Sequence, residues 1–586
     1  MDAIVYDLSS QSEAEPNIFI KKDWVSILDN QNGVYSANQS VIDTSQFSNS
    51  NKYINYREAY FTIPMLLALT QTGVGSVSFT PATAATSADY ALGLKNWYGS
   101  IIHSFSVDLA GTTIIQQTPF QSLWNTFRLI TTLSYQDLLT IGPSIGFYPD
   151  NSSSWYYLNA INPTGGGVTN NTNLFATPVV SGAANSLEQT NSGFYQRQRS
   201  WNFNALGLSG VLGSAFTNMI SQQNLALLYK SSILPPVDGS AVPAKGYWAA
   251  QIVGQVYLRH LHEFFDKIPL VKGMFMKMTM NLNNSSTQVA VIQNAAAGAA
   301  SFPTSMSQQL ASSSFPLGGV NPIMFASGNV LNGMARVIVP SASVTLVASL
   351  YVGSRTYEAN AVTAIGGNGQ IGYVNNLTLN APCYTFNPAF EGAYLSNAIR
   401  KIDYEDIYQY QVLGIPKATN FNNLITNGIA GIKSVLVLPF HSSQASASQT
   451  NLSISPLQSC FDPAGGGTTS PLTYINNYNV IISGQNAIYN TQRYTYEAFL
   501  NQLNGQNSVN GNQIDGMGSG LISQTDFENC YNYYYVNVER CLPIEKGVSK
   551  SVSIVGQNVS EWTIDLYVFI CYGISVNLNI LLGSRV

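Results

Sequence analysis

Leu566-Tyr567-Val568-Phe569-Ile570-Cys571-Tyr572-Gly573-Ile574-Ser575-Val576-Asn577-Leu578-Asn579-Ile580 is the passage on which the reading of the fold turns. Its first half is apolar enough to begin a membrane helix. Asp565, Asn577 and Asn579 interrupt the wider stretch from Trp562 to Gly583, and a helical span needs roughly 20 mostly apolar residues. In the second half Ile574, Val576, Leu578 and Ile580 alternate with Ser575, Asn577 and Asn579. A period of two belongs to a strand with one buried face. The passage predicts a core strand and no membrane span.

The same period recurs upstream. Phe105, Val107 and Leu109 alternate with Ser104, Ser106 and Asp108, and Met276, Met278, Met280 and Leu282 alternate with Lys277, Thr279, Asn281 and Asn283. Tyr534, Val536 and Val538 alternate with Tyr533, Tyr535 and Asn537, while Ser434-Val435-Leu436-Val437-Leu438 reads as a short buried strand. Asn-Gly pairs at Asn32, Asn332, Asn368, Asn427, Asn504 and Asn510 supply turns that need positive φ. Two helices are predicted from i, i+3, i+4, i+7 spacing: one carries Phe120, Leu123, Trp124 and Phe127, the other Tyr496, Phe499, Leu500 and Leu503, stopping at Asn504-Gly505.

From about Gln288 to Gly319 the chain turns Ala/Ser/Gly-rich, the composition of a linker or long loop. The expected division is therefore a first domain over 1–300, with an N-terminal arm, and a second over 301–586. Each half holds one helix among strands, a Pro-x-Gly-Gly-Gly loop (Pro163–Gly167, Pro463–Gly467) and a closing alternating strand (Met276–Leu282, Ile574–Ile580). The expected architecture is mainly β: two tandem jelly-roll β-sandwiches with a few short helices in loops.

Composition agrees. Only 9% of the 586 residues are charged, against about 25% in ordinary soluble domains. Asn, Gln, Ser and Thr take their place. A scarcity of Glu and Lys argues against solvated helices, and 34 Tyr with 26 Phe suit pleated, half-buried surfaces. The net charge of −5 gives no global basic field for nucleic acid; Lys21-Lys22 is a local solvated pair. The odd set Cys383, Cys460, Cys530, Cys541 and Cys571 contains no C-x-x-C, so these residues read as mostly buried small hydrophobes in a reducing compartment. Met1-Asp2-Ala3-Ile4-Val5-Tyr6-Asp7 lacks the basic and long apolar regions of a secretory signal. Sequons such as Asn376-Leu377-Thr378 then carry no message.

The search for chemistry finds no P-loop, HExxH or nucleophile elbow. The densest polar cluster is Arg259-His260-Leu261-His262-Glu263-Phe264-Phe265-Asp266. On a strand His260 and His262 would share a face and could hold a metal with Glu263 or Asp266, but no third His or Cys joins them in sequence, and a strand end entering a loop is the preferred reading. Gly516-Met517-Gly518-Ser519-Gly520 lacks the strand–helix setting of a phosphate loop. Glu405-Asp406 is by default a solvated pair rather than a glycosidase dyad. Tyr531, Tyr533, Tyr534 and Tyr535 lack the basic residues that base stacking requires, and read as sheet packing. No catalytic, cofactor-binding or metal-binding residue is assigned, no cofactor is expected, and the chain is not read as an enzyme.

Particular segments resemble a known family. Asn32-Gly33-Val34-Tyr35 through Asp43-Thr44-Ser45, Tyr56-Arg57-Glu58-Ala59-Tyr60-Phe61-Thr62-Ile63-Pro64, and Gly93-Leu94-Lys95-Asn96 followed by His103-Ser104-Phe105-Ser106-Val107 resemble the major capsid proteins of virophages and Polinton-like viruses. So do Leu258 through Gly273, Arg493-Tyr494-Thr495-Tyr496-Glu497, Ser519-Gly520-Leu521-Ile522-Ser523 and the final Leu566-Tyr567-Val568-Phe569 strand. The resemblance implies a double jelly-roll subunit, three copies of which form a pseudo-hexagonal capsomer tiling an icosahedral shell around a double-stranded DNA genome. It implies a virion location after synthesis in the host cytoplasm, contacts with neighbouring capsomers, pentons and minor capsid proteins, and no specific nucleic-acid binding. It makes the histidine cluster scaffold. Some relatives carry a further C-terminal domain, which here is expected to be absent or removed. The competing expectations are a carbohydrate-binding or adhesin-like β-sandwich, which Tyr and Asn abundance would fit, and a β-rich hydrolase with a pocket of convergent carboxylates or histidines.

Overall fold

The computed structural model describes residues 17–35, 38–48, 51–72, 89–150, 197, 247–293, 306–314, 319–327, 337–338, 344–353, 376–442, 457, 469–470, 473–488, 493–503, 519–529, 531–538 and 547–586. Sixteen of the strands among these residues fall into two series of eight. The first series is β1 (Phe19–Leu28), β2 (Gln39–Asp43), β3 (Tyr60–Thr72), β4 (Ile102–Leu109), β5 (Thr112–Ile115), β6 (Tyr247–Tyr257), β7 (Met276–Leu282) and β8 (Thr378–Phe386). The second is β9 (Ile399–Ile415), β10 (Asn420–Ile429), β11 (Ile432–His441), β12 (Ile475–Ile482), β13 (Gln485–Asn486), β14 (Tyr534–Asn537), β15 (Lys550–Asn558) and β16 (Ile564–Asn579).

Pairing is antiparallel and follows the same circuit in both. In the first series β1-β8-β3-β6 form one sheet and β2-β7-β4-β5 the other. In the second the orders are β9-β16-β11-β14 and β10-β15-β12-β13. Strands 1-8-3-6 facing strands 2-7-4-5 is the jelly-roll arrangement of two interlocked Greek keys. The alternations read from sequence lie where expected: β7 buries Met276, Met278, Met280 and Leu282 and exposes Lys277.

The pairings do not follow a division at residue 300. Ser285–Gln293 and Met306–Ser314 pair with each other, Ser285–Gln293 also pairs with Val344–Val352, and that strand pairs with β3 from Met65 to Thr72. All three extend the first sandwich's sheet and lie between its seventh and eighth strands. The Ala/Ser/Gly-rich stretch is therefore inside the first unit, and Met276–Leu282 is not its closing strand. Pairing changes over between Phe386 and Ile399, where α3 (Pro388–Leu395) starts with Pro388 behind an Asn387 cap whose side chain accepts the Ala389 N–H at 3.2 Å. Asn32-Gly33 forms a turn with φ of 53° and 78°. Asn427-Gly428 does not turn; it lies in β10 beside a register shift. The other Asn-Gly pairs and both triple-Gly loops lie outside the described residues.

The two predicted helices exist as α1 (Gln121–Thr132) and α4 (Tyr496–Leu503), and α2 (Tyr135–Ile145) follows α1 behind a Ser134/Asp137 capping box. Helix α1 lies between the sandwiches. Its Phe120 and Trp124 pack on Tyr567 and Phe569, and Phe127 meets Tyr533 edge-on at 5.2 Å and Tyr535 at 5.4 Å. The sheet β9-β16-β11-β14 thus has no wet central face. On β11, Val435 and Val437 point into the second sandwich's core, while Leu436, Leu438 and Phe440 join the core shared with the first. On β16, Leu566, Val568 and Ile570 take the inner side, and Tyr567, Phe569 and Cys571 the shared one. This is why these strands read as continuous apolar runs.

Candidate functional site

Several of the polar residues singled out from the sequence gather at the junction of the two sandwiches. Leu258–Leu261 is a short helix rather than a strand end, so His260 and His262 do not share a strand face. His260 is buried edge-on against Trp97 and Tyr257. His262 Nδ1 accepts the Phe264 N–H at 3.2 Å, which leaves Nε2 to carry the proton toward Asp406 Oδ1 at 3.4 Å. Asp266 pairs with Arg57 at 2.9 Å. Among the described residues no three His, Cys, Asp or Glu side chains converge as metal ligands do.

Glu405 and Asp406 are not a solvated pair. Asp406 is buried toward His262, while Glu405 meets Lys433 at 3.0 Å and takes a hydrogen bond from the Cys571 thiol at 3.0 Å. Glu263 reaches across the junction, its Oε2 accepting the Glu405 N–H at 2.8 Å. Burial and the adjacent Glu405 carboxylate push Glu263 above the usual carboxylate range. Burial also works against charged Glu405, yet Lys433 and the Cys571 thiol hold it below that range. Burial pushes the Cys571 thiol well up and Cys383 up to about 11, so both are protonated, unreactive thiols at neutral pH. Cys460, Cys530 and Cys541 lie outside the described residues. Two contacts cross the seam, His262 with Asp406 and Glu263 with the Glu405 N–H, while Lys433–Glu405 and Arg57–Asp266 brace its two sides.

The other candidates lie elsewhere in the fold. Tyr531, Tyr533 and Tyr535 fill the shared core, and Tyr534 the second sandwich's own. Lys21 and Lys22 pair with Asp23 and Glu58 at 3.0 and 2.7 Å. Of Gly516–Gly520 only Ser519-Gly520 is described. Gly520, at φ 65°, lies against the Ile130 and Thr131 carbonyls, and Leu521 N–H donates to Ile130 O at 2.9 Å. That is a helix C-terminus, the wrong pole for phosphate. Among the described residues no helix is long and apolar enough to cross a membrane.

Two surfaces escaped the sequence reading. The first is the pair of edge strands that open the two sandwiches. Among the described residues β1 pairs with β8 alone, and β9 stands at the edge of its sheet. β1 turns Ile20 (64% exposed), Trp24 (53%) and Leu28 outward, and β9 turns out Tyr408, Tyr410 and Leu413. Apolar side chains on an unpaired edge are what natural sheets avoid unless something covers them. The second is one end of the molecule. Connections 1→2, 3→4, 5→6 and 7→8 of a jelly roll leave from one end, and the long ones, 73–101, 116–246, 283–377, 442–474 and 487–533, all do so. At the other end Ala110-Gly111, Ala430-Gly431 and Ser483-Gly484 connect neighbouring strands, and the connections 44–59, 258–275 and 538–549 are longer.

No family model and no curated protein matches the chain. Solved structures do. The chain is similar to the mavirus major capsid protein at 10% identity, covering 99% of this chain and 92% of that one with a TM-score of 0.43. It is similar to a chain of the Sputnik virophage at 11% identity, covering 98% and 90% with a TM-score of 0.40. It is similar to the Faustovirus major capsid protein at 9% identity, covering 97% and 94% with a TM-score of 0.39. Each of these likenesses runs along nearly the whole length of both chains.

Proposed function

We propose that the chain is the major coat subunit of a virus and not an enzyme, with 17–386 forming one jelly roll and 399–586 the other. The observation that carries this reading is the pair of apolar edge strands, β1 and β9, in the same topological place on two sandwiches that are locked together through a sheet whose central strands, β16 and β11, are packed on both faces. A rigid body with two equivalent sticky edges is suited to association with its own kind. Three copies bring six sandwiches into a ring, a pseudo-hexagonal trimer able to tile an icosahedral shell around a double-stranded DNA genome. Neighbouring trimers, pentons and minor capsid proteins are then its partners, the virion its location and the host cytoplasm its place of synthesis. The low charge supports this, since amides can be paired in an interface where lone charges cannot.

The test is mass photometry and electron microscopy of the purified protein. A trimer with six-lobed projections is expected; a stable monomer at about micromolar concentration, where obligate subunits associate, would sink the reading.

A further inference from the structure

The strand circuit is the same in both sandwiches, so a surface of one has a counterpart on the other. The outer face of β9-β16-β11-β14 is covered within the chain: Tyr567, Phe569, Leu436 and Leu438 lie in the shared core, the first two beneath α1. Its counterpart is the outer face of β1-β8-β3-β6. The register sets Ser26, Asn380, Tyr60 and Tyr257 in one row across that face and Thr62 and Gln255 in the next. Asn380, Tyr60, Tyr257, Thr62 and Gln255 are only half-buried, and Trp24 beside them is 53% exposed. Trp24, Tyr60 and Tyr257 form a ladder with ring centroids 5.8 and 5.6 Å apart, and Arg259 stands over Tyr257 at 5.3 Å. Trp, Tyr and Arg are the side chains enriched among those that carry most of the energy of protein interfaces.

The helices differ in the complementary sense. Each follows the fifth strand of its own sandwich. In α1 every residue except Arg128 is buried, because the helix lies between two sandwiches. In α4 only Phe499 and Leu503 are buried, and Glu497 and Asn501 face solvent one turn apart. Among the described residues the first sandwich thus has a sheet face with no helix over it, and the second has a helix covered on one side only. We propose that a second copy of the chain joins the two: α4 and the end of β13 in one copy cover the outer face of β1-β8-β3-β6 in the next, as α1 covers β9-β16-β11-β14 inside each chain. The charges agree, since Glu497 would meet a face that carries Lys22 over Trp24 and Arg259 over Tyr257. The contact uses two different surfaces, so copies join head to tail, the kind of contact that can close into a ring. This inference rests on the coat-subunit reading and specifies which surfaces meet.

Two variants of the full chain test it by mass photometry. Y60A/Q255R alters the sheet face and E497R/N501R alters the helix. Each alone should weaken the oligomer by about a hundredfold, as loss of a central contact does, with circular dichroism unchanged. Mixed one to one, they still share one intact pair of surfaces, the helix of the first variant and the sheet face of the second. The mixture should therefore give heterodimers and no ring. A native-sized oligomer in either variant, or a mixture that stays monomeric, would overturn this inference while leaving the coat-subunit reading in place. A native protein that is itself monomeric would remove both. If a variant fails to fold, hydroxyl-radical footprinting of the native protein decides. Trp24, Tyr60 and Tyr257 should be shielded in the oligomer and labelled after dilution to monomer, and equal labelling in the two states would refute the contact.

Discussion

At the scale of single residues, burial decides the protonation of His103. It packs edge-on against Phe120 at 5.1 Å, and burial lowers its pKa to about 4. Its value in the unfolded chain is about 6.5. The unfolded chain therefore takes up this proton first as pH falls, and the folded state loses ground between pH 6.5 and about 4. The loss from this one ring approaches about 3 kcal/mol at 1.36 kcal/mol per pH unit. Denaturant midpoints measured across that window should fall less steeply in H103Q than in the native protein. Equal slopes would mean that His103 is already charged in the fold. Nothing in the sequence near Ile102-His103-Ser104 distinguishes this histidine, because its burial comes from α1 and from Gly319, which lies close to its ring.

At the scale of elements, β16 is the informative case. Its strand character was legible in the alternation from Ile574 to Ile580. Its partner was not. Val576 and Leu578 belong to the core shared with the first sandwich, and Lys272 of that sandwich donates its N–H to Ile580 O at 2.9 Å. The tail is a staple between units rather than only a core strand of the second. Deleting 574–586 should cost about 5–9 kcal/mol from Val576, Leu578 and Ile580 at roughly 1.5–3 each. Calorimetry should show a lower and split melting transition together with loss of soluble oligomer. A truncated chain that melts as the native one does would disprove the staple. Periodicity reports which face of a strand is apolar, not which neighbour covers it, and the same limit explains the other misses. The strands Ser285–Gln293 and Met306–Ser314 are joined by backbone pairing, which small polar residues can sustain, so their composition passed for a linker.

At the scale of the whole molecule, a mainly β chain of two jelly-roll sandwiches was expected from alternation, turns and helix spacing, while the order in which the strands pair and the exposed edges were not. Ile20 and Trp24 sit in a strand whose Lys21, Lys22 and Asp23 make it look solvated. Their position at the sheet edge, not their spacing, gives them meaning. Replacing both with Glu places like charges on a face that self-association must desolvate. I20E/W24E should weaken the oligomer by about a hundredfold, the loss typical of a central aromatic contact, while circular dichroism stays unchanged. Retention of the native oligomer on sizing would move the interface elsewhere. The seam between the sandwiches has a mechanical consequence. A sheet covered on both faces offers no water-lubricated plane on which its two halves could slide. A load pressed on one sandwich must pass through the packed core shared by α1, β11 and β16 into the other, so the subunit should dent as one stiff plate instead of hinging at its middle.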